Sequence, residues 1–283
     1  MANLEHISIL NSGAVKWTEW RNYHQEITPD LSEIDLRFAN LRGVNFYQVN
    51  LRRADLYQSK LIAANLKQAN LNKADLSAAL LIDACLIEAE IIDAKLWDVD
   101  LSGANLAYAN LIGADLRNAN LKNADLCFAN LIGTNLRCAN LKNADLSDAN
   151  LWRTDLSDAN LIAANLSNTN LTQANLHASD LIEVNLYKAN LEKANLSEAH
   201  VNGSYLFGAI LQQADLYKTD FRWANLSKAN LELADLQNAN LRGANLQGAN
   251  LRKANLKGAN IRGANLTKAI LTDAIMPDGL IHH

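Results

Sequence analysis

Between Asp30 and Ile275 the apolar and polar positions of this chain repeat every five residues, without one insertion or deletion. Each unit reads as a small residue, Asn or Asp, Leu, then two variable residues, as in ANLRG, ANLKN and ADLSD. Of the 49 central positions from Leu31 to Leu271, 44 are Leu, and Phe46, Ile91, Val201, Phe221 and Ile261 fill the rest. Two residues earlier, 36 of the 49 are Ala. A period of five fits neither a 3.6-residue helix nor a two-residue strand alternation. It does fit a chain that turns a corner in every unit, with four units closing a square coil. Leu and Ala then face inward and the other three positions face out. Each Leu buried in such a column contributes roughly 1.5–3 kcal/mol.

Two further regularities agree with corners. Asn or Asp precedes the central residue in 40 of 49 units, and short polar side chains that bond local backbone are turn formers. Ten of the twelve glycines, Gly43 and Gly243 among them, sit two residues after the centre, where a turn requiring positive φ selects Gly.

These motifs resemble those of the pentapeptide-repeat proteins, over about residues 31–275. The resemblance implies an all-β solenoid, a right-handed quadrilateral β-helix; 49 units at four per coil give about 12 coils. The segment WTEWR (Trp17 to Arg21) resembles a W-x-x-W-R stretch before the repeats of cyanobacterial members, and Met276-Pro277-Asp278-Gly279 resembles their stop-and-turn.

The flanks have another texture. Leu4, Ile7 and Leu10, then Ala14, Trp17 and Trp20, fall at helical spacing, predicting helices at 3–11 and 14–26 that form a short N-terminal α-helical cap over residues 1–29. Such a cap covers the sheet edge and Leu column that a solenoid leaves open. The β-helix occupies 30–275, a turn and tail 276–283, and both ends are expected to be closed. His282 and His283 read as a tail, not as metal ligands.

Composition narrows function mainly by exclusion. Three cysteines without CxxC spacing suggest neither a disulfide framework nor a zinc site. The start MANLEHISIL lacks the basic and apolar regions of a signal peptide, and no apolar run approaches membrane-spanning length. A cytoplasmic protein without membrane attachment is expected. No His lies in a metal-ligand or catalytic spacing, and the repeat glycines are explained by corners rather than by a phosphate-binding loop. A coil filled by Leu and Ala leaves no cavity for a small-molecule substrate. The chain reads as no enzyme, with no cofactor and no metal.

Function must therefore lie in departures from the repeat on the outer surface. Ile92, Ile112, Ile132 and Trp152 recur at twenty-residue spacing as a ladder on one face, with Ile62, Ile82, Ile162 and Ile182 on the opposite face. Such a stripe docks a partner, or simply stacks because β-branched residues pair well in sheets. The units degenerate at 80–98, where Leu80, Cys85, Glu90 and Lys95 replace Asn or Asp. They degenerate again at 200–223, where His200, Tyr205 and Ile210 do so beside Phe207 and Trp223. Both stretches read equally as functional surface or as drift. Charge is uneven as well. Residues 83–100 hold six acidic side chains against Lys95, whereas 237–272 hold none against six basic ones. Arg222, Arg242 and Arg262 fall in one column.

The leading expectation is a non-catalytic protein–protein interaction scaffold, with a regulatory role among its uses, an unidentified protein partner, and a monomeric state with a dimer as the alternative. The family resemblance implies a second reading, a DNA-mimicking modulator of DNA gyrase. Mimicry needs an acidic surface, because DNA carries one charge per about 1.7 Å. This chain has 26 basic residues against 30 acidic. The resemblance also implies Phe at many central positions of gyrase-directed members, where only Phe46 and Phe221 stand here. A third reading, nucleic-acid binding by the basic C-terminal coils, lacks an aromatic stacking platform in the sequence.

Overall fold

Each five-residue unit closes a β-turn. The N–H three residues after the centre donates to the carbonyl of the central residue, as from Ala129 to Leu126 at 3.0 Å. The residue two after the centre has positive φ in every unit, at 39 non-glycine residues as well as at the ten repeat glycines. The sequence marks this requirement at only those ten. Elsewhere the coil imposes it on Lys, Asp, Gln and even Trp, at about 1–2 kcal/mol per non-glycine residue. Tertiary pairing therefore overrides local preference around the circuit.

The computed structural model describes residues 2–282. Contacts divide the chain into two compact units, Met1–Asn140 and Leu141–His283. In both, parallel bridges join residues twenty apart, such as Asn50 to Asn70 in the first and Asn165 to Asn185 in the second. The Asn or Asp position carries the bridge with its backbone. Its side chain accepts from the N–H two residues on, as Asp75 Oδ1 does from Ser77 at 3.0 Å. Corner and strand are thus served by one residue. Asn side chains also pair between neighbouring coils, as from Asn185 Nδ2 to Asn165 Oδ1 at 3.0 Å.

The inward columns are those expected. Leu51 to Leu251 and the Ala positions between them are buried almost throughout. Several hydroxyls that replace Ala inside donate to a carbonyl, as Ser204 Oγ does to Leu181 at 2.6 Å and Thr219 Oγ1 to Leu196 at 2.8 Å, which satisfies an otherwise orphaned buried group; Ser59 Oγ, also buried, has no such partner.

In the first unit, helices α1 (Leu4–Asn11) and α2 (Ala14–Tyr23) precede the coils. Asn3 accepts from the Glu5 N–H at the start of α1. The second helix ends at Tyr23 rather than at residue 26, because His24 leaves the helical region at φ −129°. Trp17 is fully buried, donates through Nε1 to the Asn45 carbonyl at 2.7 Å and meets Phe46 edge-on. Arg21 donates to the carbonyls of Ile27 and Tyr47 at 2.8 and 2.9 Å. Burial lowers its pKa, and the charges of Tyr47 and Glu26 oppose that shift.

In the second unit the last units run into an antiparallel pair, β1 (Ala274–Ile275) and β2 (Ile281–His282), joined through Met276–Leu280 with Gly279 at φ +85°. The expected closure is incomplete here. Ile261, Leu266 and Leu271 are only half-buried, and Ile270 is 48% exposed. The hairpin covers Ala274 and leaves the neighbouring corners open. His283, of the C-terminal pair, lies outside the described residues. Among those described, no helix is long and apolar enough to cross a membrane.

Candidate interaction surface

The degenerate stretches keep the geometry of the rest. Leu80, Cys85, Glu90 and Lys95 all form their parallel bridges, as do His200, Tyr205 and Ile210. Loss of the corner carboxamide is compensated locally at Glu90, where Asn72 of the preceding coil accepts from the Ile92 N–H at 2.7 Å. A coil held on both sides does not need every Asn, so substitution there changes the surface without changing the path.

The isoleucine ladder is partly covered by its neighbours. Ile92, Ile112 and Ile132 lie in the first unit and are half-buried, as are Ile62 and Ile82. Trp152 belongs to the second unit; it too is half-buried, and Arg153 lies 4.3 Å over its ring.

The remaining sequence-marked residues meet on one face of the second unit. Tyr205 is in bridge register with Asn185 and Asn225, which places it mid-face. At one flanking corner the N–H groups of Gly203, Trp223 and Gly243 donate to the carbonyls of Arg222, Arg242 and Arg262, at 2.9, 3.1 and 3.1 Å. The arginines therefore form a column beside Trp223. At the other corner Gly208 donates to Ser227 and Gly248 to Thr267. Phe207 stands there, 6.2 Å from Tyr205 and 6.0 Å from Tyr187, its ring capped by Lys228 Nζ at 5.3 Å.

Exposure separates these groups. Trp223 is 67% exposed and Tyr205 42%, while Phe207 is half-buried. The indole lies across Gly243, where an added methyl would overlap its ring. Arg222 is held by Asp220, through Nε at 2.9 Å and Nη2 at 2.6 Å. Partial burial pushes the Asp220 carboxyl up, but the bonds from the Arg222 side chain and backbone outweigh it and leave the pKa lowered. The Arg222 pKa is raised in turn, first by that same bond. Among the described residues Arg242 and Arg262 make no ion pair.

Two surface features were missed from the sequence. Tyr108 and Phe128 stack at 4.9 Å with an interplanar angle of 4°, both about half exposed. Their twenty-residue spacing was the available signal. Trp97, Arg117, Asn118, Arg137 and Cys138 line a shallow cavity of about 370 Å³ in the first unit. Among the described residues no cluster of His, Cys, Asp or Glu is arranged to hold a metal.

A chain built throughout from one turn-forming unit, with parallel pairing at twenty residues, belongs to a defined class of repeat protein. The profile of the Pentapeptide repeats family matches in eight copies, over 30–68, 59–98, 98–127, 124–161, 159–197, 194–232 and 234–273. The chain is a member of the pentapeptide-repeat family, whose proteins form right-handed quadrilateral β-helices. Among solved structures it is similar to HetL, a pentapeptide repeat protein involved in heterocyst differentiation regulation from the cyanobacterium Nostoc sp. strain PCC 7120. The two are 34% identical over 94% of this chain and 98% of that one, at a TM-score of 0.34. It is similar also to Rfr23 from the cyanobacterium Cyanothece 51142, at 28% identity over 48% of this chain and 94% of that one, TM-score 0.24. QnrB1, a plasmid-mediated fluoroquinolone resistance protein, is 21% identical over 78% and 90% of the two chains, TM-score 0.34. No curated protein matches.

Proposed function

We propose that this protein is a non-catalytic interaction scaffold that docks a partner protein on the face of the second unit bearing Trp223, Tyr205 and Phe207. One observation carries the reading: an indole 67% exposed and a tyrosine 42% exposed stand on the same face in successive coils. Aromatic anchors of this kind supply a disproportionate share of binding energy at protein interfaces. The scaffold is regulatory in the sense that it acts by occupying a partner's surface, and it works in the cytoplasm as a monomer. The chain folds as about 12 coils with a cap of α1 and α2 at the N-terminal side, and the parallel bridges within the second unit hold that face in one shape.

The gyrase reading is less favoured, because a DNA mimic needs acidic charge where this face presents Arg222, Arg242 and Arg262. The test is affinity capture with the wild-type chain, Trp223→Ala and Tyr205→Ala, with circular dichroism as the fold control. The reading expects a captured protein to be lost or weakened about tenfold in the Trp223→Ala variant. Capture that is unchanged in both variants refutes it.

A further inference from the structure

The face that carries Trp223 has a second character, seen once its four successive coils are laid side by side. Residues 202–208, 222–228, 242–248 and 262–268 contain no Asp or Glu and five cations, Arg222, Arg242, Arg262, Lys228 and Lys268. The coil before them breaks the pattern with Glu183. The charge is confined to the two flanking corners. Arginine forms one column through the carbonyls already described, and Lys228 and Lys268 stand at the other.

Those corners are also where the glycines gather. Gly203, Gly208, Gly243, Gly248 and Gly263 are five of the ten repeat glycines. Positive φ does not explain the concentration, since 39 other corners meet that requirement with larger residues. What Gly adds is the absence of a side chain, which leaves the backbone open to close approach. Gly243 clears the space into which the indole lies. The result is a strip whose middle runs Tyr205, Asn225, Asn245 and Asn265, with Trp223 and the cations at its two corner margins.

Arg242 and Arg262 sit one coil apart, about 4.8 Å, the spacing of paired strands. Like charges at that distance repel unless solvent or a bound anion screens them. Arg222 has its carboxylate in Asp220, and among the described residues Arg242 and Arg262 have none. A guanidinium fork is suited to donate two parallel bonds to a carboxylate.

We infer that the occupant of this face is a short acidic segment of the partner protein, with one apolar or aromatic side chain seated on Trp223 and its carboxylates on Arg242 and Arg262. The inference rests on the proposed interaction scaffold and names the chemistry of its partner. Length selects a peptide over a polynucleotide. Four coils span about 14 Å, which matches about four residues of extended chain. A longer polyanion continuing along the face would meet Glu183.

The test titrates the full chain with labelled peptides by fluorescence anisotropy. One peptide alternates glutamate with leucine around a central tryptophan. A second replaces each glutamate with lysine, and the third probe is an oligothymidylate. The expected result is saturable binding of the acidic peptide alone, weakened by added salt and at least about tenfold weaker for R242E/R262E. Equal binding of the lysine peptide, or of the acidic peptide to R242E/R262E, overturns the inference. So does oligothymidylate binding more tightly than the acidic peptide, which assigns the face to nucleic acid. Capture of a partner that depends on Trp223 but is unaffected by R242E/R262E removes the acidic segment and leaves the scaffold standing. Capture indifferent to Trp223 removes both.

Discussion

Gly243 and Gly248 form a matched pair for separating two reasons why a corner is Gly. They lie in adjacent corners of one coil, at φ +70° and +67°. A methyl added at Gly248 meets only Lys228 Cγ at 3.9 Å, an ordinary contact, whereas at Gly243 it overlaps the Trp223 ring. Gly248→Ala therefore tests the backbone alone. A left-handed Ala costs about 1–2 kcal/mol, offset by about 0.4–1 kcal/mol from the stiffer unfolded chain, so a net loss of about 0.5–1 kcal/mol is expected. Gly243→Ala carries the same backbone term and must also displace the indole. Trp223 is two-thirds exposed, so the ring can swing out at the expense of its packing and of an off-rotamer angle, about 1 kcal/mol more. Urea unfolding followed by circular dichroism should place Gly243→Ala about 1.5–2 kcal/mol below wild type, on these combined estimates. In a Trp223→Ala background the two substitutions should cost the same, giving a coupling of about 1 kcal/mol in the double-mutant cycle. Equal losses for both in the wild-type background, with no coupling, would refute the view that Gly243 exists to seat the indole.

Other outcomes follow from the core, the corners and the charges. Leu226→Ala removes a fully buried side chain and should lower stability by about 3–5 kcal/mol, while Leu266→Ala, at a half-buried position, should lose about half as much; equal losses in urea titrations would show that the C-terminal coil is covered. Asn72→Ala should destabilise by about 1–2 kcal/mol, because it orphans the Ile92 N–H at the unit where Glu90 offers no replacement, and the same assay measures it. The Arg37 side chain and N–H hold the Asp35 carboxyl at about 2, and Arg117 acts alike on Asp115. A lowered carboxylate pKa favours the charged folded form, so this stability is complete above about pH 4 and fades as the pH falls toward 2. Thermal melts from pH 5 to pH 2 should show a shallower decline for the Asp35→Asn/Asp115→Asn variant, and an unchanged slope would count against these pairs.

Much of the fold is written in one dimension. The five-residue period assigns Leu and Ala to the interior and Asn or Asp to the corner, because a narrow coil admits few side-chain sizes and a β-turn needs short polar acceptors. The same regularity hides what is not periodic. Nothing in Lys228 or Trp223 announces a left-handed backbone, since that conformation is imposed by pairing with the coils on either side. The isoleucine ladder shows a limit of spacing: it places Ile92, Ile112 and Ile132 in a column but says nothing of exposure, and their neighbours half-cover them.

The sequence alone thus determined the coil, its period and the residues free to vary, because the repeat is local and each unit carries its own turn. Only the tertiary structure decided which free residues matter together. Arg242 and Gly243 are neighbours in one corner and Trp223 lies at the same corner one coil earlier, and pairing between residues twenty apart brings them to one surface. Those bridges also align two charged corners and a row of glycines around Tyr205, at separations along the chain where no local signal connects them. The open edge at Ile261 and Leu266 has the same origin: burial depends on a following coil, and no property of those residues supplies one.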